Sequence, residues 1–132
     1  LAMLAARKAG RVIGVENNAF AVEDGHENLA LNGFTNVELV CAEAEKALPE
    51  LCVDTPPDTV IADPPRAGIH RKALDAIIKS KPSRIVYISC NPSTLARDAA
   101  ILINAGYTLD RARPVDMFPH TAHIECVALF NI

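Results

Sequence analysis

The sequence predicts a doubly wound α/β domain, with helices packed on a mostly parallel sheet. Apolar runs of strand length alternate with segments of helical spacing along most of the chain. Residues 84–90, RIVYISC, are almost continuously apolar, as in a strand that is buried on both faces of a parallel sheet. Two late strand patterns, at 107–116 and 123–130, have no helical pattern between them, which predicts an antiparallel hairpin at the sheet edge.

The earlier elements follow the same alternation. Gly33 and Gly106 each follow a helical pattern and are suited to end a helix, because glycine tolerates left-handed backbone. Prolines at residues 56–57 and 64–65 mark turns. The predicted strands are residues 12–16, 37–41, 59–65 and 84–90, and the predicted helices are residues 18–32, 44–51, 70–79 and 92–105. The apolar faces of the last two helices are Ala73, Leu74, Ile77 and Ile78, and then Leu95, Ala99, Leu102 and Ile103.

Composition narrows the functional classes. A chain of 132 residues suits one domain, and a net charge of −3 argues against a free-standing basic nucleic-acid module, although a local basic patch is compatible with it. The four cysteines form no C-x-x-C pair, which predicts no metal site, and Cys41, Cys52 and Cys126 read as buried, inert thiols of a reduced, cytoplasmic protein. No apolar stretch reaches membrane-spanning length. The chain opens inside a helical pattern, so we expect it to be a piece of something longer.

Polar residues end three of the predicted strands, at the sheet edge where α/β domains bind ligands. Glu16 can accept hydrogen bonds from the ribose hydroxyls of NAD or of S-adenosylmethionine, or it can simply cap the next helix. Glu43 can face an adenine edge or be a solvated carboxylate at a helix start. Asp63 precedes two prolines that stiffen the backbone and hold its carboxylate at the edge.

Cys90 closes a strand, where Asn91 is a good N-cap and Pro92 suits the first helical position. The positive end of that helix favours a thiolate, whereas a buried inert cysteine is the alternative. Glu125 is a lone carboxylate in an apolar strand, so it is an edge residue or a buried group suited to proton transfer. His120 and His123 lie nearby, but their spacing matches no helical zinc motif.

Together the motifs GVE (14–16), DPPRAG (63–68), SCNPSTLARD (89–98) and FPHTAHIECV (118–127) resemble the RNA 5-methyluridine methyltransferases, which use S-adenosylmethionine to methylate uracil C5 in tRNA or ribosomal RNA. The resemblance implies a Rossmann-like class I methyltransferase fold. It also implies that Cys90 is the nucleophile and Glu125 the base. The cofactor contacts that it implies are Glu16, Glu43 and Asp63, and the RNA contacts that we expect are Arg66, Arg97 and His120.

The family's topology implies the strand order 37–41, 12–16, 59–63, 84–89, 123–130, 107–116, with a vacancy or a direct pairing between the second and third. The family's first strand and the glycine-rich loop after it do not appear in this sequence. We therefore expect residues 1–132 to be a partial catalytic domain that binds S-adenosylmethionine weakly or not at all and is inactive alone.

Other functions remain open on the residues. An amino-group nucleic-acid methyltransferase would use the Asp-Pro-Pro turn but would need no Cys90. A nicotinamide-dependent oxidoreductase would use Glu16 but would leave Cys90 and Glu125 without a role. A non-catalytic fragment that only folds, or only docks RNA, is the third alternative.

Overall fold

The computed structural model describes residues 1–121 and 123–132 and alternates helices with strands. The chain divides into two compact units, Leu1–Ala47 and Leu48–Ile132. The elements in chain order are α1 (Ala2–Ala6), β1 (Val12–Glu16), α2 (Ala19–Leu31), β2 (Val37–Cys41), α3 (Ala44–Asp54), β3 (Thr59–Ala62), α4 (Arg71–Ser80), β4 (Arg84–Ser89), α5 (Pro92–Asn104), β5 (Thr108–Val115) and β6 (Glu125–Asn131).

The first unit is built on the parallel pair β1 and β2, in which Glu16 is the register partner of Cys41. Helix α2 begins where Asn18 Oδ1 accepts hydrogen bonds from the next backbone amides, and it ends before Gly33, whose φ is +68°. Gly25 faces β2 so closely that a Cβ there would lie 2.6 Å from a Leu39 methyl carbon. The predicted strand pair and the helix end at Gly33 are confirmed.

The second unit is a four-stranded sheet of order β3-β4-β6-β5. Strands β3 and β4 are parallel, while β6 runs antiparallel to both β4 and β5. The predicted hairpin is therefore confirmed, with β5 at the edge. Pro114 is tolerated because an edge strand leaves one side of its backbone unpaired. Within each of the two sheets, the strand order matches the predicted order.

One face of the four-stranded sheet packs on helices α4 and α5, and these contacts form the core of the second unit. Tyr87 and Phe130 are fully buried there, and Leu102 meets them from α5. Alternation along β4 turns Ile85, Tyr87 and Ser89 toward this core. The remaining buried members of the core are Leu74, Ile77, Leu95, Ala99, Tyr107 and Ala128.

Three details correct the predictions. Helix α3 runs to Asp54 rather than ending at residue 51, which places Cys52 on a helical turn where it is buried. Cys41 is exposed, since it is the last residue of β2 and has left the packed part of the strand. Ile103 is 48% exposed, because it lies at the margin of the apolar stripe of α5. Among the helices described, none is long and apolar enough to cross a membrane.

Candidate active site

The register of β4 and β6 brings Cys90 and Glu125 to the same end of the sheet, where β4 finishes and β6 begins. Ser89, the last residue of β4, pairs with Cys126 in the antiparallel ladder. Cys90, which follows Ser89 in a bend, and Glu125, which precedes Cys126, are therefore the chain neighbours of the last ladder pair. Because antiparallel partners step in opposite directions along the two strands, we expect the thiol and the carboxylate to lie near each other at this end of the sheet.

Two side-chain interactions shape the bend at Cys90. The Ser89 hydroxyl, which is buried, accepts a hydrogen bond from Asn91 N at 3.1 Å and donates to Asn91 O at 2.9 Å. The Asn91 side chain then caps α5 by accepting from Ser93 N at 3.1 Å. Cys90 is half-buried, between a strand end and a helix N-terminus, as predicted. A thiolate is electrostatically favoured at such a position.

Glu125 is the first residue of β6 and is half-buried. Strand β6 lies between β4 and β5 and is therefore an interior strand. This excludes the alternative that Glu125 belongs to an edge strand. No ion pair formed by the described residues includes its carboxylate. Its neighbour Cys126 packs against the core on the other face of the strand, as predicted.

The acidic turn, which we define as residues 63–69, connects β3 to α4 and begins at the same end of the sheet as Cys90. The parallel register pairs Ala62 with Tyr87, so Asp63 comes level with the last residues of β4. Asp63 itself is exposed. Arg66, later in the turn, holds its Nη2 2.8 Å from Nδ1 of His123. A guanidinium can only donate, so Nδ1 of His123 is the acceptor in this contact.

The cysteine segment, which we define as residues 89–98, is bonded to the acidic turn. Asn91 Nδ2 donates to Arg66 O at 3.0 Å, and the Thr94 hydroxyl donates to the same oxygen at 3.2 Å. Arg97 Nη2 donates to Ala67 O at 3.0 Å. The predicted RNA contact Arg97 is thus engaged inside the protein, although its side chain remains 52% exposed.

Asp98 is a residue that the sequence interpretation missed. Its carboxylate is almost fully buried, and one oxygen accepts from Tyr87 Oη at 2.7 Å and from Ile69 N at 2.9 Å. The other oxygen accepts from Arg97 Nε at 2.8 Å. Burial, and then the hydrogen bond to Asp98, raise the pKa of Tyr87 well above the ordinary value for a phenol. An aspartate close to the apolar stripe of a helix was the available sequence signal.

The other predicted residues lie elsewhere. His120 is exposed, in the loop between β5 and β6, with a φ of +65°. In the first unit, Glu16 ends β1 and accepts a hydrogen bond from Asn18 N at 2.9 Å, as a helix-start carboxylate does. Glu43 forms an exposed ion pair with Lys46 at 2.7 Å, and this contact raises the pKa of the lysine.

One groove lies away from these residues. An open groove of about 500 Å³ between α3 and α4 is lined by apolar residues, such as Pro49 and Val53, and by charged residues, such as Lys72 and Asp75, and contains none of the predicted site residues. Over residues 1–121 and 123–132, no group of three or more histidine, cysteine, aspartate or glutamate side chains is placed to hold a metal ion.

Sequence comparisons relate the chain to RNA-modifying proteins. The family model described as tRNA (uracil-5-)-methyltransferase matches residues 53–131. An uncharacterized RNA methyltransferase of Bacillus cereus is 47% identical over an alignment of 133 positions, which covers 100% of this chain and 29% of that protein. One from Porphyromonas gingivalis is 46% identical over 98% of this chain and 28% of that protein. The chain thus spans less than a third of the length of these relatives.

Solved structures agree. The Pyrococcus abyssi tRNA (uracil-54, C5)-methyltransferase in complex with S-adenosyl-L-homocysteine superimposes with a TM-score of 0.80 at 38% identity, over 95% of this chain and 30% of that one. An rRNA methylase from Streptococcus thermophilus gives a TM-score of 0.66 at 14% identity, over 96% of this chain and 75% of that one. The second match bears on the fold alone. Together they confirm the Rossmann-like class I fold.

Proposed function

The chain belongs to the tRNA (uracil-5-)-methyltransferase family, and on that premise we propose that it is part of a catalytic domain that transfers a methyl group from S-adenosylmethionine to C5 of a uridine in tRNA or ribosomal RNA. The observation that supports the proposal is the last pair of the β4–β6 ladder, Ser89 and Cys126, whose chain neighbours are Cys90 and Glu125. A nucleophile and a base at neighbouring positions are the two groups that this reaction requires.

Cys90 is the proposed nucleophile. Carbon C5 of uracil is a weak nucleophile because its electrons are delocalised into the ring carbonyls. Addition of the Cys90 thiolate to C6 forms an Sγ–C6 bond and moves the π electrons of the C5–C6 bond into an enolate, which makes C5 nucleophilic. When bound, S-adenosylmethionine supplies an electrophilic methyl group to that carbon. The bend between Ser89 and Asn91 puts residue 90 directly before the capped N-terminus of α5, and negative charge is favoured near such an end.

Glu125 is the proposed base. After methylation C5 carries both the new methyl group and its original hydrogen, and this hydrogen must leave as a proton. The Glu125 carboxylate takes the proton, the electrons of the C5–H bond restore the C5–C6 double bond, and the Sγ–C6 bond breaks to release the Cys90 thiolate. The half-buried position of Glu125 limits competition from water.

The carboxylates predicted to bind the cofactor fit hydrogen-bond acceptor roles. Glu16 is exposed at the carboxyl end of a parallel strand, where a ribose hydroxyl can donate to it. Glu43 follows the neighbouring strand in the same unit. Asp63, in the second unit, is exposed on a turn stiffened by two prolines. We propose all three as contacts to S-adenosylmethionine.

The proposed partner is RNA. A uridine must leave its stack to reach a cysteine at a sheet edge, so we propose a flipped base or a single-stranded loop as the substrate. Arg66 and His120, both exposed in the second unit, are the proposed RNA contacts. We place the reaction in the cytoplasm, where reduced thiols such as the free Cys90 persist.

Trapping with 5-fluorouridine RNA tests the proposal. Fluorine cannot leave C5 as a proton, so a cysteine-dependent C5 methyltransferase stalls as a covalent protein–RNA complex. The complete natural polypeptide that contains this chain should form such a complex in the presence of S-adenosylmethionine, and its Cys90→Ala variant should not. An amino-group methyltransferase or an oxidoreductase forms no complex, so absence of the complex in the wild-type protein would refute the proposed function.

A further inference from the structure

Residues 66–69 of the acidic turn are tied to residues 91–98 of the cysteine segment, which lie 25 to 30 positions further along the chain. Four hydrogen bonds join them, and each uses a side chain of the cysteine segment and a backbone group of the acidic turn. Asn91 and Thr94 hold the carbonyl of Arg66, and Arg97 holds the carbonyl of Ala67. Asp98 accepts from the amide of Ile69.

Arg97 and Asp98 are the end of this connection that reaches into the core. Asp98 is 1% exposed, and its partners come from β4, from the acidic turn and from Arg97. A buried carboxylate is tolerated because these partners satisfy its oxygens. Arg97 donates from Nε to Asp98 Oδ1 and from Nη2 to Ala67 O, so two nitrogens of one rigid plane serve acceptors that a lysine would have to serve from a single nitrogen.

Gly68 shows how closely the two segments approach. A Cβ at this position would lie 2.5 Å from Arg97 Nη2 and 2.6 Å from Asp98 Oδ2. The φ of Gly68 is +82°, a backbone conformation that residues other than glycine rarely adopt. The turn therefore fits the Arg97–Asp98 pair only because residue 68 has no side chain.

We propose that Arg97 and Asp98 are positioning residues, which clamp the acidic turn against the cysteine segment and so fix Asp63 and Arg66 relative to Cys90. This inference rests on the proposed function, in which Asp63 contacts the methyl donor and Cys90 attacks the base. Methyl transfer requires donor and acceptor within a near-attack distance, and a misplacement of about 1 Å can reduce the rate about a hundredfold. The clamp supplies that precision without touching either substrate.

The proposal gives Arg97 a role different from an RNA contact. If Arg97 bound a phosphate, lysine would replace it well, because a phosphate accepts from an ammonium, and loss of the side chain would raise KM for RNA. If Arg97 is part of the clamp, the single nitrogen of lysine cannot occupy the Nε and Nη2 positions together, so the bridge between Asp98 and Ala67 O is weakened and the loss falls on kcat. The substitution Arg97→Lys therefore separates the two roles.

The experiment compares Arg97→Lys with wild type in the complete natural polypeptide, using a substrate RNA and S-adenosylmethionine. We expect kcat to fall about 10- to 100-fold while KM for RNA stays within about threefold. Arg71→Lys is the matched control, since Arg71 also pairs with an aspartate, but in an exposed ion pair with Asp75 on α4. It should leave both constants unchanged. Retention of kcat in Arg97→Lys, or a rise in KM alone, would overturn the proposal.

Hydrogen exchange tests the clamp without relying on the reaction. In the same polypeptide, the peptide that contains Ile69 should exchange about tenfold faster in Asp98→Asn and in Arg97→Lys than in wild type, since its amide is protected by Asp98. Unchanged exchange in both variants would refute the clamp. If wild type forms no 5-fluorouridine complex but exchange accelerates in the variants, the clamp holds and the proposed function fails.

Discussion

Replacing Gly68 by alanine should destabilise the second unit through two separable effects. The first is backbone strain, because φ is +82° and a left-handed non-glycine residue costs about 1–2 kcal/mol. The second is steric. The new Cβ would lie 2.6 Å from Asp98 Oδ2, and this buried carboxylate cannot move without breaking its hydrogen bonds to Tyr87 and Ile69. A buried group left without its partner costs about 1–3 kcal/mol.

The expected loss for Gly68→Ala is therefore about 1–5 kcal/mol in the free energy of unfolding, after a gain of about 0.4–1 kcal/mol from the stiffer unfolded chain. Gly106→Ala is the matched control in the same unit. Its φ is +103°, but the nearest atom to a new Cβ, on Ile132, is 4.0 Å away. It should cost only the strain, about 1 kcal/mol.

Urea unfolding followed by circular dichroism measures the difference, provided that the slope against denaturant is the same in both variants. Gly68→Ala should unfold at clearly lower urea than Gly106→Ala. Equal urea midpoints for the two variants would mean that the acidic turn accommodates the new Cβ without losing stability. The close approach of Gly68 to Arg97 and Asp98 would then not limit which side chain residue 68 can have.

Three further predictions follow from burial and charge. Leu102→Ala should lose about 2–5 kcal/mol of unfolding free energy, because Leu102 is fully buried, whereas the exposed Ile103→Ala should lose about 1 kcal/mol or less. Calorimetry measures both losses, and similar values would contradict the observed buried face of α5. The raised pKa of Tyr87 contributes stability that is complete below about pH 10 and is lost as pH rises through the folded value, so wild type should lose unfolding free energy above about pH 10 more steeply than Tyr87→Phe. An identical alkaline slope in the two proteins would count against that assignment. In the Glu125→Gln variant the cysteine should still attack uracil and C5 should still be methylated, but the RNA should be released slowly. A methylated protein–RNA complex should therefore accumulate and be visible on a denaturing gel, and normal turnover would show that Glu125 is not the base.

Local sequence signals were sufficient for much of the fold. Alternation of strand and helix patterns predicted the element types, and the missing helical pattern after residue 107 predicted the hairpin, whereas the order of strands within each sheet was implied by the family resemblance. The cap at Asn91 followed from side-chain chemistry within three residues, which sequence expresses directly. These features depend on neighbours in the chain or on the two-residue period of a strand, so they need no knowledge of tertiary contacts.

The clamp could not be predicted in the same way. Asp98 and Ile103 lie on opposite margins of the α5 stripe, and the sequence pattern favoured the isoleucine for burial; in the structure the isoleucine is exposed and the aspartate buried. The inversion arises because Tyr87 and Ile69, far away in sequence, supply donors to the aspartate. The bond from Arg97 to Ala67 O could not be foreseen for a similar reason, since the two residues are thirty positions apart in the chain.

The central claim is that Cys90 is the residue that bonds to uridine, and peptide mapping of the trapped complex tests it most directly. The complete polypeptide would be incubated with 5-fluorouridine RNA and S-adenosylmethionine, digested with protease and nuclease, and examined by mass spectrometry. The peptide that contains Cys90 should carry the mass of a methylated fluorouridine nucleotide, and peptides with Cys41, Cys52 or Cys126 should be unmodified. A nucleotide attached to any of those three cysteines, with Cys90 free, would contradict the proposed mechanism.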